Sequence, residues 1–369
     1  MLKTKKKIKI FFKSIAHKLF KIIYGEISHI IFPKSNTDIA VENVELSKCE
    51  YQIYFCKKSR LYTDRIHDTA IIKNNKIIEG PSFQYRDNKN DKCETNSVFT
   101  KGTPRFKKNI KGTVFSLLTG GGGNSNYWHW LFDVLPRLFI LQNSQMKNCL
   151  IDYYFFPSLN KKFQTESLDI LEISPQKRLS SKNIRHFSSD KIIITSHPYT
   201  LLNDPNLDSL NIPTWITDFL RKKFLNKLKK NENSKKNFPK KIYINRKDAT
   251  IKLLRYIINE NEVEKNLIKN GFTSLTLSDY SFADQVALFN NAESIVGLHG
   301  AGFANIIFCS PNTKILELRP DTAGDAIKNL AIKNNLSYDD ISSKTKTLNY
   351  NNNYGDIEVN IDLLIKKLM

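Results

Sequence analysis

Two arginines, a histidine inside a glycine turn, a glutamate and a distant His/Asp pair are the residues whose type and spacing could do chemistry here. Arg246 ends the apolar run KKIYINR and Arg255 follows in the next loop. Guanidinium forks suit the oxygens of a diphosphate. The stretch SIVGLHGAGFANIIFCSPNTKILELRP, residues 294–320, sets His299, Gly300, Ala301 and Gly302 between an apolar run and a helical one. Glycines in such a place let the backbone approach a ligand, and a helix start offers N–H groups to a phosphate. The pattern is neither G-x-G-x-x-G nor a Walker loop. Glu317 lies on the second apolar run of that stretch, where a carboxylate could accept both hydroxyls of a ribose. In the other half, His129, Asp133 and Arg137 recur four apart in YWHWLFDVLPRLFIL and so share one helix face. Plainer readings stand beside these: a surface arginine in a weak ion pair, a solvated glutamate, an Asp133–Arg137 pair next to a packed histidine.

The elements that must position these residues can be read in outline. From 241 onward, KKIYINR, FTSLTL and SIVG read as strands. Between them NENEVEKNLIKN is a helix closed by Gly271, and SFADQVALFNNAES a helix capped by Ser281 with Asp284 at the capping-box position. Repeated β-α-β predicts a parallel, Rossmann-like sheet, whose ligands bind beyond the carboxyl ends of the strands. Residues 297–302 lie at one such end. Further on, DIEV reads as a strand and IDLLIKKL as a terminal helix. In the first half, YQIYFC, TAIIKNNKIIEG, SVFT and TVFSLL read as short β runs, and DYYFFPS, RHFSS and KIIITS continue the α/β rhythm. Four consecutive glycines in TGGGGNSN make a mobile or closely approached loop before a helix that starts near Tyr127 and that Pro136 bends or restarts. Residues 214–230 form an amphipathic helix leading into the lysine-rich break NENSKKNFPKK.

Composition sets bounds. At 369 residues, two domains are expected. The divisions read from the sequence are a basic segment at 1–30, an acceptor-side domain at 36–225, a ligand-binding domain at 238–345 and a terminal strand and helix at 346–369. The balance of 57 Lys+Arg against 36 Asp+Glu, a net charge of +21, points to a polyanionic partner, although abundant Asn and Lys throughout share in it. Five scattered cysteines show no zinc spacing and no disulfide framework, which fits reduced thiols and a cytoplasmic chain. No apolar run spans a bilayer and no cleavage-site pattern follows the N-terminal hydrophobic part. Residues 2–24, LKTKKKIKIFFKSIAHKLFKIIY, put an apolar stripe beside a lysine cluster. That suits either an anionic membrane surface, on the inner face of the cytoplasmic membrane, or packing on the protein itself. A nucleic-acid-binding reading would need aromatic-interleaved basic patches or a helix-turn-helix, and neither is found.

Two binding halves across a cleft is the GT-B organisation, and at this point a family resemblance becomes specific. NYWHWLFDVLPRL, YINRKDATIKLLRYIINENEV and SFADQVALFNNAESIVGLHGAGFANIIFCSPNTKILELRP, in that order, resemble glycosyltransferase family 61, and with it enzymes of the surface-polysaccharide and O-GlcNAc- and xylosyltransferase kind. The likeness is strongest over 241–320 and good over 124–141. It implies an α/β, GT-B-like fold of two Rossmann-like domains. It also implies inverting transfer from a nucleotide-sugar, often a UDP-sugar, to a glycan or lipid-linked acceptor, without a metal or other cofactor. The sequence has no D-x-D clamp of the metal-dependent kind. Carried over, Arg246 and Arg255 hold the diphosphate beside His299, Gly300, Ala301 and Gly302. Asn305 lines the same helix, Glu317 binds ribose, and Asp133 or His129 serves as base on the acceptor hydroxyl. Many relatives have proline where this chain has Leu298, and eukaryotic members carry an anchor and a disulfide context not seen here. The expected role is a bacterial-type enzyme of surface polysaccharide synthesis. The rivals are a basic nucleic-acid-binding protein and an inactive scaffold of the same family.

Overall fold

The structure is a computed structural model that describes residues 2–33, 36–84, 93–119, 122–200, 205–230, 237–247, 255–346 and 355–369. Gly120 and Gly121 of the glycine loop, residues 231–236 of the lysine-rich break and residues 248–254 before Arg255 lie outside the described residues. The chain divides into two compact units, Met1–Lys161 with Ile173–Pro198, and Lys162–Glu172 with Tyr199–Met369. This moves the expected boundary. The helix Thr214–Lys230 belongs to the second unit, because Phe224 packs on Phe282 at 4.8 Å between ring centroids and Arg221 Nη1 donates to the Cys309 carbonyl at 2.8 Å. The helix Lys162–Ile170 joins the same unit, its Glu166 accepting the amide of Phe282 at 2.6 Å.

The first unit is built on a ten-stranded mixed sheet: β1 (His29–Ile31), β2 (Ile39–Leu46), β3 (Cys49–Thr63), β4 (Asp68–Lys73), β5 (Lys76–Ile78), β6 (Phe83–Gln84), β7 (Lys108–Ser116), β8 (Tyr153–Phe156), β9 (Arg178–Ser180) and β10 (His186–Thr195). The strand order is β1-β5-β4-β3-β10-β7-β8-β9, with β2 also on β3 and β6 on β4. Only the β10-β7-β8-β9 run and the β1–β5 pair are parallel; β2, β3, β4, β5, β6 and β10 supply antiparallel pairings. A Rossmann-like sheet was expected in this half, and its parallel portion is all of that expectation that the fold contains. The reason is local. Asn74 and Asn75 take φ of 48° and 56°, the conformation a tight hairpin turn needs, so β4 folds straight back as β5 with no crossover helix. The run expected to be β at SVFT is instead the short helix Val98–Lys101, with Val98 buried against Ile27 and Tyr62. RHFSS and KIIITS form one continuous strand, β10.

The second unit carries a five-stranded sheet: β11 (Lys241–Ile244), β12 (Thr273–Leu275), β13 (Ser294–Leu298), β14 (Lys314–Pro320) and β15 (Ser337–Ser343). Its order is β12-β11-β13-β14-β15, and every pairing is parallel. Helices cover it, so β13 and β14 are buried nearly end to end, as two-sided strands must be. The expected helix signals are present: Gly271 sits at φ 82° just past the helix Glu260–Lys269, and Ser281 Oγ accepts the Asp284 amide at 3.1 Å at the start of Phe282–Asn291. DIEV is not a strand; Ile357 alone bridges Ile257 before the terminal helix Ile361–Leu368. The strand order reverses between β11 and β13. In open α/β sheets that reversal opens the crevice where ligands bind. Among the described residues no helix is long and apolar enough to cross a membrane.

Candidate functional site

At the carboxyl end of β11, Asn245 is buried and locked. Its amide donates to Ser274 Oγ at 3.0 Å, and its oxygen accepts from Thr276 Oγ1 at 2.8 Å and from the Lys247 amide at 3.2 Å. Arg246, next in sequence, is thereby carried out over the sheet end, partly buried. Across the strand reversal, β13 ends and the chain turns at His299, whose amide donates to the Leu318 carbonyl at 2.8 Å. A Cβ on Gly300 would lie 3.6 Å from Arg246 Nη1 and 3.9 Å from its Cζ, so the guanidinium flanks the bare backbone of the turn. Arg255 Nη1 donates to the His299 carbonyl at 2.8 Å. The structure therefore brings Arg246, Arg255, His299 and Gly300 together at one end of the sheet. Gly297 has a different reason to be glycine: a Cβ there would stand 3.2 Å from both Ile244 Cβ and the Phe303 ring.

Ala301 and Gly302, partly buried, begin a helix that is 3-10 over all of Ala301–Phe308 rather than α. The first amides of such a helix have no intrahelical acceptor and face the turn. Asn305 does not line the crevice. It is fully buried, its amide donating to Gln285 Oε1 and to the Gly302 carbonyl, both at 3.2 Å, which ties this helix to Phe282–Asn291.

Glu317 is also placed otherwise than expected. Its side chain has no exposure; Oε1 is hydrogen-bonded to His299 Nδ1 and Oε2 accepts the Tyr338 hydroxyl at 2.7 Å. A ribose could reach neither oxygen without displacing a partner. The carboxylate instead fixes the imidazole from behind, with Nδ1 turned inward and Nε2 the other way, and this is how second-shell carboxylates orient functional histidines. Burial and Glu317 together push the Tyr338 phenol well above its usual range, so it serves as a donor.

The first unit holds a second cluster. Asn126 Oδ1 accepts the amides of Trp128 at 2.9 Å and His129 at 3.4 Å, opening the helix Tyr127–His129. Pro136 has no N–H, and its ring cannot follow a regular turn. The chain responds with a π-turn over Trp130–Val134, in which the Leu135 amide reaches back to the Trp130 carbonyl, before Pro136–Gln142 resumes as α-helix. π-turns of this kind are frequent at functional sites. Across it, His129 Nδ1 meets Asp133 Oδ2 at 2.7 Å; the His129 side chain is 39% exposed and that of Asp133 only 7%. Arg137, buried, bonds the Asp133 carbonyl at 3.0 Å and the Thr195 carbonyl at 2.8 Å, and so pins the end of β10 to this helix. Two residues on, His197 Nε2 comes within 3.9 Å of Asp133 Oδ2. Burial alone would raise the Asp133 pKa, but the charge and hydrogen bonds of His129, then of His197, outweigh it and hold the carboxyl far below its usual range. Nothing in the sequence marked His197: it follows a strand in TSHPY, and only the β10–helix clamp delivers it to Asp133. The glycine loop packs here too, since a Cβ on Gly123 would lie 2.7 Å from Val134 Cγ2.

Among the described residues no group of three or more His, Cys, Asp or Glu could hold a metal ion. What the two clusters offer is charge and proton chemistry: guanidinium groups beside a glycine turn, suited to an anion, and an Asp-oriented imidazole suited to taking a proton.

The family model for glycosyltransferase 61 matches residues 127–316, about half the chain, and contains both clusters. This chain belongs to glycosyltransferase family 61. A β-1,2-xylosyltransferase of Arabidopsis thaliana is 37% identical over 75 residues, 17% of this chain and 14% of the plant protein. The family 61 match begins at Tyr127, the first residue of the His129 helix, and runs to Leu316, one residue before Glu317.

Proposed function

We propose that this family 61 protein is an inverting glycosyltransferase that moves a sugar from a nucleotide-sugar, a UDP-sugar first among candidates, to a hydroxyl of a glycan or lipid-linked acceptor. The observation that carries the reading is the convergence of Arg246, Arg255 and His299 on the bare turn at Gly300, at the reversal point of a parallel sheet. Such a crevice suits the diphosphate of a leaving nucleotide: guanidinium, imidazole and helix-start amides neutralise the charge that grows on the phosphate oxygen as the anomeric C–O bond breaks. We assign this task to the protein's own cations, with no metal required. Arg255 contributes while also holding the His299 carbonyl, and Glu317 positions His299 rather than touching the ribose.

On the other unit, His129 is the better base than Asp133. It is the more exposed of the two, its Nδ1 faces the carboxylate, and we assign the acceptor proton to the ring's other nitrogen, Nε2. Asp133, held ionised, stabilises the imidazolium that forms, and His197 backs the carboxylate. A single displacement needs a base for the acceptor hydroxyl and a cationic seat for the leaving diphosphate. The role follows the family: building a glycan such as a surface polysaccharide, with pentosyl transfer a candidate because the plant relative is a xylosyltransferase. The test is stereochemical. With EDTA present and an α-linked nucleotide-sugar that turns over, the anomeric proton coupling of the product should report a β linkage. A retained α linkage, or turnover that vanishes with EDTA and returns with added divalent metal, would overturn the proposal.

A further inference from the structure

The N-terminal helix Leu2–Tyr24 is docked by its last turn. Phe20 is buried against Phe106, with ring centroids 5.1 Å apart, and Tyr24 lies edge-on to the buried His186 at 4.9 Å. Arg60 Nη2 donates to the Tyr24 carbonyl at 3.3 Å, and the chain leaves the helix through Gly25 at φ 79°. From residue 11 on, the other bulky apolar side chains of the helix are open to solvent. Phe11 and Phe12 are each 64% exposed, Ile15 47%, Leu19 50% and Ile22 82%. Phe12, Ile15, Leu19 and Ile22 recur at spacings of three and four, so they form one continuous stripe. The helix sequence contains eight lysines and no Asp or Glu, and Lys13 and Lys18 are exposed beside the stripe.

Isolated exposed apolar side chains are ordinary, but a bulky aromatic stripe on a purely cationic helix is not. The sequence left two readings of this segment, and the structure leaves its stripe uncovered. We infer that Leu2–Tyr24 is a docking element for an anionic lipid surface, its Phe and Ile side chains entering the headgroup–acyl boundary while the lysines meet lipid phosphates. The charge decides for lipid over a protein groove: an apolar groove would explain the stripe but not a helix with eight lysines and no Asp or Glu. The clamp at Phe20, Tyr24 and Arg60 then fixes the first unit to the surface through a short, rigid joint instead of a loose tether. This inference stands apart from the transfer reaction and can fail without it.

Co-sedimentation of the full chain with vesicles tests it, comparing phosphatidylcholine alone with phosphatidylcholine carrying phosphatidylglycerol. Binding should require the anionic lipid and weaken with salt. Phe11→Ser with Phe12→Ser should reduce it about tenfold or more. Lys13→Gln with Lys18→Gln should reduce it by roughly fivefold per lysine. An unchanged thermal midpoint would show that each variant is folded. Binding to both vesicle types alike, no binding, or variants that bind as the parent does would overturn the inference. So would sedimentation velocity showing self-association that the Phe pair abolishes.

Discussion

In the reaction proposed above, His129 and Asp133 divide one task by exposure. A carboxylate so deeply buried and so firmly ionised is a weak proton acceptor, whereas an imidazole it orients is a good one. His129→Gln should therefore lower kcat by about 10²–10⁴-fold, with KM for the donor little changed, because the donor is held elsewhere. Asp133→Asn keeps the shape but reverses the hydrogen bond to Nδ1, and a loss of similar size is expected. Steady-state kinetics with saturating donor checks both; a His129→Gln enzyme with parental kcat would remove the base from the account. At this scale the sequence was informative where spacing alone makes neighbours and silent where it does not. His129 and Asp133 are four apart and meet. Glu317 was expected at a strand end beside a ribose; it lies midway along β14, paired to His299 and Tyr338, and no local pattern tells such a carboxylate from one facing a ligand. Asn305, expected on the helix face of the turn, is buried with its amide serving Gln285. His197 left no trace because its contact is made through β10.

Among elements, the end of β13 and the turn that follows it hold two glycines for different reasons. Gly297 is closed in by Ile244 and Phe303, while Gly300 is open toward Arg246. Gly297→Ala should destabilise the protein by about 1–3 kcal/mol through overpacking between β11 and β13. Denaturant melts check this, and a midpoint equal to the parent's would show that the strand spacing has slack not evident in the structure. The second unit was legible because each β-α-β step is local: caps at Ser281 and Gly271 mark where helices begin and end, and buried parallel strands read as apolar runs. The first unit was legible only as strands. Whether a run pairs parallel or antiparallel depends on partners far along the chain, as when β3 takes β10 on one side and β4 on the other. The π-turn was half legible: Pro136 announced a disruption, but not that the helix would absorb it by widening instead of ending.

For the molecule as a whole, the net charge of +21 has two local uses in this account, an anion crevice at the ends of β11 and β13 and a cationic helix at the N-terminus. Family 61 membership rests on the segment that holds both clusters, from Tyr127 to Leu316. The central claim is that the crevice around Gly300 takes the diphosphate of a nucleotide-sugar with the protein's own cations. Titration calorimetry in EDTA, with UDP-, GDP-, CMP- and dTDP-sugars in turn, tests it most directly. The parent chain should bind at least one of them, and Arg246→Ala should weaken that binding by about tenfold to a hundredfold with its thermal midpoint unchanged. No binding across the panel, or binding undiminished in Arg246→Ala, would contradict the claim.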